Sequence, residues 1–333
     1  MAFSVLPNPA LTALRRFVAE HPERVQHGPL GIAFSGGADS TALLHAALTL
    51  WPSQRLRALH VNHGLQHAAA GFAQHAAQAC ATLGVPFAQA DLQLALQRGQ
   101  SVEEQAREGR YKALARLALD QGCGLVLLGQ HGDDQVESVL LALLRGAGPR
   151  GLAAMPEWMW RHGCAFARPL LCCGAAELRA WLDGQGIGYL IDPMNADPAF
   201  RRSRIRHELV PVLAQLEPAY RQTLSRTAAL CAAAEAQTQA RAAQRLRLCA
   251  RPGGLDLATL RQLGAAAASE VVRLWLRQHG QRLDRARTDE LVRQVLRTAQ
   301  GAQRLALRLP RATVRREGPL LVLHRDATGC ERA

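Results

Sequence analysis

The sequence predicts an α/β fold: a Rossmann-like parallel sheet with helices on both faces, followed by a long helical linker and a smaller α+β domain. Three observations predict it. Short apolar runs at 30–34, 56–65, 85–92 and 124–128 alternate with longer helical stretches, the pattern of βαβ units. A serine- and glycine-rich turn follows the first run, at the strand end where parallel sheets gather ligands. Residues 218–250 read as one Ala- and Arg-rich helix, stopped by Arg251-Pro-Gly-Gly254.

A chain of 333 residues accommodates one domain of about 200 residues and a second of about 100. Its formal charge of +13 and pI near 10.5 point to a polyanionic partner, nucleic acid above all. Lys112 is the only lysine, so any lysine nucleophile or phosphate clamp must be that residue. The eight cysteines form no C-x-x-C pair, which sets aside disulfide frameworks and suits a reducing compartment. The N-terminus lacks the pattern of a signal peptide, and no stretch reaches membrane-spanning length. A soluble, cytoplasmic protein with no membrane partner is expected.

In chain order, residues 8–21 put Leu11, Leu14, Phe17 and Val18 on one face of an amphipathic helix. The turn Ser35-Gly-Gly-Ala-Asp-Ser40 lies between the first strand and a helix over 41–50. Gly36 and Gly37 are free to take positive φ, Ser35 and Ser40 add hydroxyl donors, and the helix adds its positive end, so the turn suits phosphate. Asp39 would repel phosphate unless a divalent cation sat between them, which makes it a Mg²⁺ ligand. The turn lacks the Walker A lysine and the third glycine of a dinucleotide fingerprint. Val61, Asn62 and His63 end the second strand, where backbone groups can meet a base. His60 and His63, three apart on a strand, face opposite ways and make a poor metal pair.

Residues 68–83 are expected to be helical. Ser101 and Glu104 form a capping box for a helix over 102–120. On it Glu104, Arg107 and Tyr111 share a face with Arg110 close by, and either arginine suits a phosphate clamp. After the fourth strand, Asp133, Asp134 and Glu137 cluster at a helix beginning, as a metal site or a cation-binding pocket. The basic loop 144–152, with Arg145, suits a phosphate or an RNA backbone. Residues 175–184 are expected to be helical. Residues 192–206 join turn formers to Arg201, Arg202, Arg204 and Arg206, a cluster suited to nucleic acid. The C-terminal part is read as helices near 257–263, 267–279 and 284–299, then two strands ending at 324.

The turn Ser35-Gly-Gly-x-Asp-Ser40 resembles the pyrophosphate-binding (PP) loop of N-type ATP pyrophosphatases. Further motifs narrow the resemblance: His60-Val-Asn-His-Gly-Leu65, Glu104-x-Ala-Arg107-x-x-Arg110-Tyr111, His131-x-Asp133-Asp134-Gln135-x-Glu137, Leu144-x-Gly146-x-Gly148-x-x-Gly151-Leu152, Arg168-Pro-Leu-Leu171, and Tyr189-x-x-Asp192 through Arg206. In this order, over about residues 28–213, they resemble the tRNA(Ile)-lysidine synthases. Gly129-Gln130, Ser138 and Ser203 depart from the family's usual Ala-His, Thr and Asn.

The resemblance implies a PP-loop ATP-binding catalytic domain at 1–213, a helical linker at 214–250 and a small tRNA-binding domain at 251–326, with the further domain of longer members missing. It implies ATP and Mg²⁺ as cofactors, and tRNA(Ile) with anticodon CAU and free L-lysine as partners. A homodimer stays open. Cytidine O2 would attack the α-phosphate of ATP, and the lysine amine would then attack C2 and expel AMP. Ser35, Gly36, Gly37, Asp39 and Ser40 would hold the nucleotide, with Val61, Asn62 and His63 bounding the adenine. Asp39 and Asp133 would hold Mg²⁺. Asp39, Arg110, Asp134 and Glu137 would act in catalysis, Asp134 and Glu137 taking the lysine ammonium. Arg107, Arg145, Arg201, Arg202, Arg204 and Arg206 would complete the substrate contacts. The rivals are a tRNA thiolase, which needs a cysteine pair or iron–sulfur site, a small-substrate amidating synthetase, and a non-catalytic RNA-binding protein.

Overall fold

The computed structural model describes residues 7–62, 69–92, 102–191, 201–281, 283, 285–297, 306–309 and 312–325. They fall into two compact units, residues 1–232 and 233–333, and the division lies inside one long helix. No helix among the described residues is long and apolar enough to cross a membrane.

The first unit begins with α1 (Pro9–Glu20), capped by Asn8, whose side chain accepts from the Leu11 N–H at 3.1 Å. There follow α2 (Pro22–Val25), β1 (Leu30–Ala33), α3 (Ala38–Leu50), β2 (Leu56–Asn62), α4 (Ala69–Thr82), β3 (Phe87–Asp91) and α5 (Val102–Asp120). Next come β4 (Leu125–Leu127), α6 (Gly132–Leu144), α7 (Pro149–Leu152), β5 (Trp158–Arg161), β6 (Cys164–Ala167) and α8 (Ala175–Gly184). The strands lie in the order β3-β2-β1-β4-β6-β5, parallel except for β5. Successive strand residues alternate between two cores. Leu125 and Leu127 join Leu14, Phe17, Leu43 and Leu178 of α1, α3 and α8, while Val126 joins Tyr111, Leu114 and Ala118 of α5. Helices thus cover both faces, as the sequence predicts. From β1 the chain order runs outward in both directions, which opens a crevice at the carboxyl ends of β1 and β4.

The helix expected from residue 41 starts at Ala38, so Asp39 and Ser40 stand on its first turn. No strand is expected from the sequence at 158–167, where β5 and β6 form a hairpin. Its turn carries His162 at φ 50° and Gly163 at φ 78°, the positive pair that a two-residue hairpin turn needs.

The first unit closes with α9 (Arg201–Arg204), a π-helical turn Ile205–Leu209, α10 (Val210–Leu216) and the first part of α11 (Tyr220–Cys249). Pro211 has no N–H to give the preceding turn, and the Val210 N–H reaches back five residues to the Ile205 carbonyl. The second unit holds β7 (Ala250–Arg251), β8 (Gly254–Asp256), α12 (Leu257–Gln262), α13 (Gly264–Gln278), α14 (Arg285–Arg297), β9 (Ala306–Leu309), β10 (Ala312–Glu317) and β11 (Leu320–Arg325). The break read at 251–254 is therefore a hairpin turn. The strands form an antiparallel sheet, β7-β8-β11-β10-β9, whose core includes Leu255, Val272, Trp275, Leu291 and Val314.

Candidate active site

The turn after β1 is shaped by its own serines. Ser40, buried, donates to the Gly37 carbonyl at 3.0 Å, lies 3.2 Å from the Ser35 hydroxyl and accepts from the Ser35 N–H at 3.3 Å. Gly36 takes φ +80°, whereas Gly37 is extended and caps α3 without a side chain, so only one of the two glycines uses left-handed freedom. The Leu190 N–H donates to the Gly36 carbonyl at 2.8 Å and fastens a later segment over the loop. The first-turn N–H groups of α3 have no acceptor within their own helix and face the crevice mouth with the helix dipole behind them.

Across the crevice, the chain leaving β4 runs through Gly129-Gln130-His131. His131, 5% exposed, stands at the N-cap position of α6 and sits among three carboxylates. Its Nε2 lies 3.5 Å from Asp39 Oδ2 and 3.6 Å from Asp134 Oδ2, and its Nδ1 lies 3.8 Å from Asp133 Oδ2. Burial lowers its pKa, but Asp134, Asp39 and Asp133 raise it more, to about 9. The imidazolium therefore contributes stability in full below about pH 6.5 that is lost as pH rises through about 9, on the order of 3 kcal/mol. In metal-free buffer the urea midpoint should fall across that window, and His131→Gln should flatten the fall.

The neighbouring acids divide the work. Asp133 Oδ2 accepts from the Ala175 N–H at 2.7 Å and Oδ1 from Arg221 Nε at 2.8 Å, which ties the starts of α8 and α11 to α6. Burial would raise its pKa, but that N–H and Arg221 hold it below the usual carboxylate range. Read from the sequence as a Mg²⁺ ligand, Asp133 has both oxygens engaged here. Asp39 is different: its buried Oδ1 has no hydrogen-bond partner. Asp39 Oδ2 and Asp134 Oδ2, the latter also accepting from the His131 backbone N–H at 3.2 Å, converge on one nitrogen of His131, and a cation bound between them would take over the charge-balancing role of the imidazolium. That donor set fits a divalent cation.

Glu137, one turn further along α6, is 1% exposed. Its Oε1 accepts from Arg206 Nε at 2.6 Å, and its Oε2 lies 3.2 Å from Arg202 Nε. Arg206 also stands 3.9 Å from Asp134 Oδ1. Burial pushes the Glu137 carboxyl upward against the pull of both arginines, while Arg206 is raised by Glu137. Arg202 and Arg206 thus turn inward, four residues apart on one helical face, and Arg201 and Arg204 stay exposed. Arg204 is paired with Glu208 at 3.0 Å. Arg145 is exposed at the end of α6.

Arg107 and Arg110 have no carboxylate partner among the described residues. Arg110 is an exposed residue, but protein packed around its guanidinium, with Arg107 and Arg202 nearby, holds its pKa below the usual arginine value. Cations gathered without a counter-ion suit a polyphosphate. Val61 is half-buried, and Asn62 donates to Asp91 Oδ1 at 3.0 Å. His63 lies outside the described residues, as does Ser101. His60 is a buried structural residue whose Nδ1 is 2.9 Å from the Phe34 carbonyl oxygen.

Three residues near the site carried no assigned role in the sequence reading: His131, Arg221 and Arg168. Arg168, 1% exposed, donates to Gln130 Oε1, to the Pro156 carbonyl at 2.6 Å and to the Tyr111 hydroxyl at 2.8 Å. It locks Gln130 beside His131 and joins α5 to the β4 loop. Arg168→Met should cost about 3 kcal/mol by leaving those acceptors unpaired, measured as a lower urea midpoint.

A model of the PP-loop domain matches residues 10–213, and one of the TilS substrate binding domain matches residues 255–318. A tRNA(Ile)-lysidine synthase of Polaromonas naphthalenivorans is 41% identical over 311 residues, which cover 93% of this chain and 94% of that one. The chain belongs to the tRNA(Ile)-lysidine synthase family. A second relative of that description, from Pseudomonas aeruginosa, is 42% identical over 74% of this chain and 58% of its own length. A third, from Escherichia coli O157:H7, is 40% identical over 79% and 61%. The chain spans about three-fifths of the length of those two family members. Among solved structures, the U34-tRNA thiolase NcsA of Methanococcus maripaludis shares the fold, with a TM-score of 0.55 and 18% identity over 66% of this chain and 77% of that one. Membership makes the PP-loop an ATP-using site.

Proposed function

We propose that the chain is a cytoplasmic ligase that attaches free lysine to C2 of the wobble cytidine of tRNA(Ile) with anticodon CAU. In the first step cytidine O2 attacks the α-phosphate of ATP, giving an adenylated cytidine and pyrophosphate. In the second the lysine ε-amine attacks C2, AMP leaves, and the amine loses a proton. The observation that carries this reading is the meeting of a phosphate loop and a cluster of half-buried and buried carboxylates on one crevice, in a chain of this family.

The loop holds the pyrophosphate through the N–H groups at Gly37 and the first turn of α3, with Ser35 and Ser40 fixing its shape. Arg107 and Arg110 neutralise charge that develops on the phosphates. Asp39 and the Oδ2 side of Asp134 are the groups that would hold Mg²⁺, which when bound offsets phosphate charge and polarises the α-phosphate. Asp133 anchors the helices around them. The Oδ1 side of Asp134 and Glu137 receive the lysine ammonium, in competition with Arg206. Desolvation between these groups lowers the amine pKa, and a carboxylate accepts its proton. Val61 and Asn62 border the adenine.

The test is nucleoside mass spectrometry on unmodified tRNA(Ile) with anticodon CAU, incubated with the protein, Mg·ATP and lysine, each omitted in turn. A cytidine that gains lysine less water only when all are present, with AMP and pyrophosphate released, supports the reading. ATP cleavage without lysine attachment leaves an adenylating enzyme with another nucleophile, and untouched ATP overturns the assignment.

A further inference from the structure

Beyond Glu137, the C-terminal half of α6 and the arginine segment enclose a cleft of about 350 Å³. Its floor is aliphatic, with Leu141, Leu144, Ile205 and Leu209, and its rim carries Arg145, Arg201 and Arg204 with Glu208. Leu144 is 71% exposed, so its apolar surface is open to a ligand entering the cleft. Glu208 is taken by Arg204, which donates to it at 3.0 and 3.1 Å. Arg145 and Arg201 have no ion-pair partner among the described residues, so the rim is left with two uncompensated positive charges over an apolar floor. The floor is firm, because Ile205 packs on Val136 and Leu140 in a core shared with Leu213 and Leu224.

The cleft and the candidate active site share two elements, α6 and the arginine segment. Arg202 and Arg206 leave one face of the arginine segment for Glu137, and Arg201 and Arg204 leave the other for the cleft. Leu144 lies seven residues beyond Glu137, about 10 Å along α6. A ligand with a flat, weakly polar face and an anionic group matches this lining, and an unpaired nucleotide has both.

We infer that the cleft takes one unstacked nucleotide of the RNA substrate flanking the modified one, its base on Leu144 and Leu141 and its phosphate on Arg145 and Arg201. This rests on the RNA-modifying reading above and adds a subsite to it. Holding a neighbour in this way pulls the loop open and delivers the target base to the crevice.

The test uses the full chain and a set of hairpins carrying the CAU anticodon loop, each with one loop nucleotide made abasic, in equilibrium binding at several salt concentrations. For the wild-type protein, one abasic position next to the target cytidine should weaken binding about tenfold. With Leu144→Gln, that abasic position should cost nothing further, because the base contact is already lost. Arg145→Gln with Arg201→Gln should weaken every hairpin about tenfold and lower the slope of log affinity against log salt by about 0.7 per phosphate released. Leu144 and both arginines are exposed, so these variants keep the fold. Full additivity of Leu144→Gln with every abasic position, or a salt slope unchanged by the arginine pair, overturns the subsite. Hairpin coupling without lysidine formation by the wild type would sink the lysidine reading and leave the subsite standing. Lysidine formation without coupling would do the reverse.

Discussion

Asp39→Asn should lower the rate of pyrophosphate release by about a thousandfold while lowering the urea midpoint only modestly. The fold tolerates the change because Asp39 is one of three carboxylates around the His131 imidazolium: its Oδ1 has no hydrogen-bond partner, its Oδ2 reaches His131 at 3.5 Å, and Asp133 and Asp134 remain. The chemistry does not tolerate it. A carboxylate on the first turn of α3 repels the phosphates that the loop is built to hold, and only an intervening cation reverses that sign. Binding therefore separates the roles. In EDTA the variant should bind ATP at least as tightly as the wild type, because a repulsive charge has gone. In Mg²⁺ the wild type should tighten and the variant should not. Pyrophosphate release within tenfold of wild type would show that Asp39 is not the carboxylate that holds the cation.

Spacing made much of this architecture legible. The helix over 175–184 matches α8 and that over 102–120 matches α5, because both are long periodic segments with clear ends. Sequence places the start of α3 three residues late because serine, aspartate and glycine favour turns and helix first turns alike, and only the extended Gly37 decides between them. The β5–β6 hairpin is not legible in the sequence because its turn uses His162-Gly163 in place of Asn-Gly or Asp-Gly. In the site, the acids stood out by their i,i+3 and i,i+4 spacing, but their partners did not. Asp133 meets Arg221 from 88 positions away, a pairing no local pattern carries. Arg202 and Arg206 did offer a signal, since four-residue spacing puts them on one face, apart from Arg201 and Arg204. Composition alone reads all four as RNA contacts.

Glu137→Gln should separate the two steps of the reaction. Removing the charge leaves Arg202 and Arg206 facing a neutral amide in a buried position, and breaking such a pair costs about 3 to 5 kcal/mol when both partners are sealed from water. Here the arginine side chains are 35% and 37% exposed and can turn to solvent, so about 2 kcal/mol is expected, read from urea unfolding. The phosphate loop, Asp39 and Arg107 do not touch Glu137, so pyrophosphate release should stay within about tenfold of wild type. Lysine attachment should fall at least about a hundredfold, because the ammonium loses its buried carboxylate while Asp134 alone must hold both it and Arg206. Adenylated RNA should then accumulate, visible in a quench time course as AMP bound to RNA. If attachment and pyrophosphate release fall together, Glu137 acts by holding the arginine segment in place, and the amine is received elsewhere.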